Sequence, residues 1–259
     1  MGSAPVTTVE ARASLLSLGF SEEDAEVLLA HFENAERRGK TGHGYSRIEW
    51  LGTLEIDHDA RPRLVSAEEG FQRWDGEGAL GYLVLEEIVR ATLEDPPAAA
   101  RVVVVERCFP TGVLGYWTRR LAEGGLAAVL TATSPRRLPH PDGGPPLTGT
   151  NPLAIAIPSD DGRPLVADVS MGAVTYGDVL AGNATPEELV PFGGEQAHKA
   201  FALAAGLELL VRALAGPEHG AVLVVARPEW DPVPDFREHA GGRRLPGDRD
   251  PASRRVQSP

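Results

Sequence analysis

Cysteine is nearly missing from this chain of 259 residues, with Cys108 standing alone. No internal disulfide can form, and a zinc site built by the chain itself would have to rest on histidine and carboxylate. Lysine is almost as scarce. Lys40 and Lys199 are the only ones among abundant arginine, a bias that reads as codon composition rather than chemistry. No run of about 18 apolar residues is present, so no membrane-spanning helix is expected. The opening residues MGSAPVTTVEA lack the basic-then-apolar layout of a secretory leader, and a cytoplasmic location is the expectation. Positive charge is also in deficit: 37 acidic against 25 basic side chains give a formal charge of -12. That balance argues against duplex nucleic acid or an anionic membrane as partner and leaves a small molecule as the expected one.

What is present points to an α/β architecture. Ser21 to Gly39 has the marks of a helix: Ser21 with Asp24 resembles a capping box, Gly39 can end it, and Ala25, Leu28, Leu29, Phe32 and Ala35 share one face. His31 lies beside that stripe and reads as a surface or edge histidine. A second helix is expected from about Ala79 to Thr92. Short apolar runs at Arg101–Glu106, Leu126–Thr131, Leu153–Ile157, Leu165–Asp168 and Ala221–Ala226 have the length of buried strands. Helical stretches around Leu114–Ala122 and Ala197–Ala215 separate some of them. The expected organisation is an N-terminal helical part over 1–75, an α/β sheet domain over 76–229, and a loosely packed C-terminal arm over 230–259, rich in Pro, Gly, Arg and Asp.

Several motifs invite chemistry. Gly76-Glu-Gly-Ala-Leu-Gly81 fits the G-x-G-x-x-G pattern, but Glu68 to Asp75 before it does not read as the buried strand that a dinucleotide fingerprint needs. A tight turn opening a helix is the expectation. Cys108 has no histidine near it in sequence and reads as a packed thiol, and His58, His140, His219 and His239 stand without neighbours at metal-ligand spacing, so no metal site is expected. The stretch Thr41-Gly-His-Gly-Tyr-Ser-Arg47 is different. If the chain turns helical near His43, the four-residue step places His43 and Arg47 on one face. A proton donor or acceptor useful near neutral pH would then stand beside a cation able to grip a carboxylate with two prongs. A polar loop closing the preceding helix satisfies the same spacing.

Taken in order, TGHGYSR at 41, WDGEGALG at 74, TGVLGY at 111, GTNPLAIAIP at 149, DVSMGAV at 168 and LPGD at 245 resemble the type-2 malate/L-lactate dehydrogenase family from end to end. The resemblance implies a non-Rossmann α/β fold, with a mostly antiparallel central sheet, flanking helices and an N-terminal helical lobe. It implies NAD- or NADP-dependent reduction of a small 2-oxo acid or cyclic 2-imino acid, and assembly as a homodimer. By position, His43 is then the proton donor and Arg47 the carboxylate holder. Thr150 and Asn151 accompany Arg47 on the substrate. Asp168, Val169, Ser170, Met171, Gly172, Ala173, Val174, His198, Lys199, Gly247 and Asp248 fall where the cofactor is held. The chain also departs from the pattern. Gly42 replaces the serine usual before the histidine, Pro110 stands where the family has a second histidine, and the segment 177–191 is abbreviated. Two further readings stay open: acid/base chemistry at His43 without hydride transfer, and a non-catalytic binding subunit.

Overall fold

The computed structural model describes residues 7–248. Two helices, α1 (Thr8–Ser17) and α2 (Glu22–Arg37), open the chain, and α2 is capped by Ser21, whose hydroxyl accepts from the Asp24 amide at 3.1 Å. The reciprocal half of a capping box is absent, because the Asp24 carboxylate pairs with Arg61 at 3.2 Å. A 3-10 turn over Thr41–His43 leads into the short α3 (Ser46–Leu51). Two strands then follow, β1 (Arg63–Glu68) and β2 (Phe71–Asp75), before α4 (Gly81–Glu94), β3 (Ala100–Glu106), α5 (Leu114–Glu123) and β4 (Ala127–Ala132). The remainder is β5 (Leu153–Ile157), β6 (Leu165–Val169), α6 (Tyr176–Leu180), α7 (Ala197–Ala215), β7 (Ala221–Ala226) and α8 (Val233–Ala240).

The seven strands form one sheet in the order β1-β2-β3-β7-β4-β5-β6. Every neighbouring pair is antiparallel except β2 with β3. The strand period of two divides the valines of β3 between the sheet faces. Val103 and Val105 join the large core with α1, α2, α4 and α5, while Val104 packs with Val211 and Ala215 of α7 on the opposite face. The chain is therefore three layers deep, with helices either side of the sheet, as the resemblance to the family implies.

Four expectations need correction. The residues before Gly76 do form a strand: β2 pairs with both β1 and β3. Its Gln72 and Arg73 are only partly buried, near the sheet edge, so the apolar signature of a central strand is missing. The glycines nonetheless serve packing. A Cβ on Gly76 would meet the Arg107 carbonyl, and one on Gly81 would lie 2.6 Å from the Pro110 carbonyl, so the turn is pressed against backbone. Residues 63–75 are thus sheet, not helix. His31 is fully buried among Phe32, Tyr82, Tyr116 and Trp117, and its Nε2 accepts from the Val113 amide at 3.0 Å. Burial holds its pKa well below the ordinary value. Past Trp230 the chain forms α8, started by Pro232 and Pro234 where such residues fit a helix's first turn, with Val233 buried. The rest of the expected arm, 249–259, lies outside the described residues. Cys108 is packed as expected, its thiol pushed up by burial.

Candidate active site

Where α2 ends, Gly39 takes a left-handed backbone and turns the chain back on itself, so that Lys40, the 3-10 turn and α3 face the ends of β5 and β6. Between them lies a cleft of about 470 Å³. His43 and Arg47 both line it, although Gly44 and Tyr45 interrupt the helix between them. Arg47 is only 8% exposed, stacks its guanidinium 4.8 Å over the Trp50 ring, and pairs with no described carboxylate. Its Nε and the Nδ1 of His43 are buried without a hydrogen-bond partner among the described residues. Burial first, then the charges of Arg47 and Lys40, bring the pKa of His43 down to about 3.

Around this pair stand residues of four elements. Lys40 Nζ reaches Asp168 Oδ2 at 2.8 Å, tying the end of α2 to the end of β6. Tyr82 of α4 contributes a buried ring whose hydroxyl is raised in pKa by burial and eased back by Arg47. Arg137 lies over the Tyr176 ring at 3.6 Å. Pro110, after a cis peptide bond, lines the cleft and brings no titratable group to that wall. The cleft thus carries three cations, Lys40, Arg47 and Arg137, of which only Lys40 is paired with a described carboxylate.

The segment α6 closes the cleft from the other side. Gly42 and Gly177 allow it: a Cβ on Gly42 would come 2.7 Å from the Asp178 amide, and one on Gly177 2.7 Å from Arg47 Nη2. Glycine at 42 is what this approach requires. Asp178 caps its own helix through Thr175 and Asn183 bonds Thr41 Oγ1 at 3.0 Å, so the abbreviated loop is fastened at both ends.

Of the residues singled out from sequence, Thr150, Asp168, Val169, Ser170, Gly172, Ala173 and Val174 line the same cleft as His43 and Arg47. Met171 points away into a cluster with Leu138 and Ala204. Asn151 is wholly buried, its amide donating to Glu208 Oε2 at 2.8 Å and to the Ala204 carbonyl at 3.1 Å. Gly247 borders a smaller adjoining cleft, and Asp248 caps the Leu245 amide and pairs with Arg237. His198 and Lys199 open α7 on the exposed surface and line neither cleft. Lys40, Tyr82, Arg137 and Tyr176 escaped the sequence reading. For Lys40 a signal existed, since one of only two lysines directly precedes the TGHGYSR stretch.

The family model for malate/L-lactate dehydrogenase matches residues 6–189. The chain belongs to this family. It is 30% identical over 230 residues to a Delta(1)-pyrroline-2-carboxylate/Delta(1)-piperideine-2-carboxylate reductase of Pseudomonas putida, covering 76% of this chain and 66% of that one. It is 30% identical over 189 residues to a (2R)-3-sulfolactate dehydrogenase (NADP(+)) of Chromohalobacter salexigens, covering 68% and 55%. The matched stretches thus span between about half and two thirds of these relatives' length. Among solved structures, delta1-piperideine-2-carboxylate reductase from Pseudomonas syringae superposes with a TM-score of 0.82 at 24% identity, covering 97% of this chain and 93% of that one. The likeness bears out the non-Rossmann, mostly antiparallel fold. Among the described residues no helix is long and apolar enough to cross a membrane, and no group of histidine, cysteine and carboxylate side chains is placed to hold a metal ion.

Proposed function

We propose that the chain is a cytoplasmic reductase of a small 2-oxo acid or cyclic 2-imino acid, dependent on NADH or NADPH, working as a homodimer. The observation that supports this reading most is Arg47, a buried guanidinium that pairs with no described carboxylate, opening on the same cleft as a histidine whose Nδ1 has no partner among the described residues. A buried charge is costly unless paired, so the cleft is built for an anion. The planar fork of arginine fits a carboxylate with two parallel hydrogen bonds, and the stack on Trp50 fixes its plane.

The cleft also fits a nicotinamide group. The backbone of 168–174 forms one wall, Ser170, Gly172 and Ala173 are small, and Lys40 holds Asp168 in place. A nicotinamide cofactor supplies or takes up the hydride when bound. The chain's part is to bind and orient the acid through Arg47, to exclude water with α6 and Tyr82, and to handle one proton at His43. As a neutral imidazole, His43 can accept the proton of a 2-hydroxy acid. To donate in the reductive direction it must first be protonated, and a carboxylate on Arg47 cancels one of the charges that hold its pKa down. The homodimer reading is supported by α7, which leaves Leu203, Leu209 and Leu210 exposed along one element.

A second reading, proton chemistry at His43 without hydride transfer, is favoured by one observation: His198 and Lys199 line neither the cleft of His43 nor the one adjoining it. Thermal melts with NADH and NADPH separate the two. A ligand at a hundred times its dissociation constant adds about 2.7 kcal/mol, so the reductase should melt several degrees higher with one of them. Consumption of reduced cofactor over a panel of 2-oxo acids and cyclic 2-imino acids then identifies the substrate. No shift with either cofactor leaves the non-redox reading standing.

A further inference from the structure

The smaller cleft, of about 260 Å³, shares Lys40, Val113, Asp168 and Val169 with the larger one, so the two meet at the Lys40–Asp168 ion pair. Apart from that pair its charged lining is entirely arginine: Arg38 at the end of α2, Arg119 of α5, and Arg244. In a chain of formal charge -12 this concentration runs against the overall balance. Arg38 and Arg119 are partly buried, and neither forms an ion pair with a described carboxylate. Glu123 is near enough for both to feel its charge, and Asp248 for Arg119, but Glu123 forms no ion pair with either and Asp248 is engaged with Arg237 at 3.5 Å.

The two guanidiniums converge on one small acceptor. Arg38 Nη1 and Arg119 Nη2 both donate to the Gly247 carbonyl, at 3.4 and 3.1 Å, and Arg38 Nε donates to Asn34 Oδ1 at 3.0 Å. Among the described residues nothing else takes their N–H groups. Burial lowers the pKa of both, Arg38 lowers that of Arg119 further, and the charge of Glu123, which pairs with neither, offsets only part of this. An anion with several oxygens would satisfy both forks at once, which a single carbonyl cannot.

We propose that Arg38 and Arg119, together with Arg244, form a phosphate-binding compartment that takes the phosphate groups of the dinucleotide whose nicotinamide end occupies the larger cleft. This rests on the cofactor-dependent reading of that cleft. The phosphate has two possible sources: the pyrophosphate of every nicotinamide dinucleotide, or the ribose phosphate monoester that NADPH alone carries.

The test is calorimetric titration of the folded wild type, Arg38→Gln and Arg119→Gln with NADPH, NADH and inorganic pyrophosphate, with the melting temperature of each unliganded protein measured alongside. NADPH affinity should fall about 10- to 100-fold in each variant, the size expected for lost charge-assisted hydrogen bonds. An equal fall for NADH assigns the compartment to the pyrophosphate, and a fall for NADPH alone assigns it to the monoester. Either result supports the proposal. Should a Gln variant not fold, Arg119→Lys keeps the charge but not the fork and should weaken NADPH by an intermediate factor. Undiminished binding of both dinucleotides to folded variants would overturn the proposal and leave the arginines as a clamp on Gly247. A wild type that binds pyrophosphate through Arg119, yet neither dinucleotide, would support the phosphate site while overturning the cofactor reading beneath it. Binding of none of the three probes would overturn both.

Discussion

Arg47 and His43 stand 4.8 Å from an indole and beside a helix end respectively, and each carries a polar atom that no described residue satisfies. For Arg47→Lys, the charge survives and the planar fork does not. The value of kcat/KM for a carboxylate substrate should drop about 10- to 100-fold with dinucleotide affinity unchanged. An unaltered kcat/KM in steady-state assays would make Arg47 a packing residue between Trp50 and Gly177. For His43→Asn, a group of similar reach cannot titrate, and turnover should fall about 10²- to 10⁴-fold. The same substitution has a stability signature. The pKa of His43 is lowered from 6.5 to about 3, so between those values the unfolded chain binds more protons than the folded one. Stability is then highest above about pH 6.5 and declines as the pH falls toward 3. His31, depressed chiefly by burial, adds to the slope in the same direction. Urea unfolding of His43→Asn across that window should show a shallower loss than the wild type. An identical slope would mean that His43 is not held neutral by its surroundings.

At the scale of elements, the close passage of α6 over the 3-10 turn sets the shape of the cleft. Gly42→Ser places a Cβ 2.7 Å from the Asp178 amide, where backbone must move. Overpacking of this kind costs about 1–3 kcal/mol. The variant should melt lower, and limited proteolysis should cut first within 175–185. A melting temperature equal to wild type, with activity intact, would show that α6 yields freely. This contact also marks the boundary of what was legible in the sequence. The apolar runs located β3 to β7, and the periodicity of Ala25 to Ala35 located α2, because central strands and amphipathic helices carry their burial in their own composition. The strand β1 forms the sheet edge with Arg63 and Ser66 exposed, and β2 lies next to it with Gln72 and Arg73 half-buried, so their pairing left no apolar trace. His31 was misread for a related reason. Its burial depends on Tyr82, Tyr116 and Trp117, which come from elements distant in sequence and approach only when the sheet assembles. The pair His43 and Arg47 could be read locally; Arg137 and Tyr176, brought together across the cleft, could not.

For the molecule as a whole, the question is how the layer of α7 stays in register with the cleft. Asn151 supplies the link. It follows β4 and the loop after it, its backbone has φ of 24°, and its side chain is completely enclosed. The Oδ1 accepts from the Ser134 amide at 3.3 Å on the cleft side, while Nδ2 donates to Glu208 and to the Ala204 carbonyl on α7. Glu208, 8% exposed, depends on this bond, with the Gly149 amide at 3.4 Å and Arg212 at 3.8 Å as its other partners. Asparagine suits the position twice over, since it tolerates a left-handed backbone better than most side chains and can donate and accept at once. The family resemblance placed Asn151 with Thr150 on the substrate; the geometry separates them, Thr150 facing the cleft and Asn151 facing α7. Asn151→Ala should therefore leave a buried carboxylate short of a donor and lower stability by about 1–3 kcal/mol. KM for the acid substrate should hold near the wild-type value at a temperature well below the transition. Urea denaturation and initial-rate kinetics on the same preparation decide the matter. A raised KM with an unchanged unfolding midpoint would return Asn151 to the substrate and break the link drawn here between the α7 layer and the cleft.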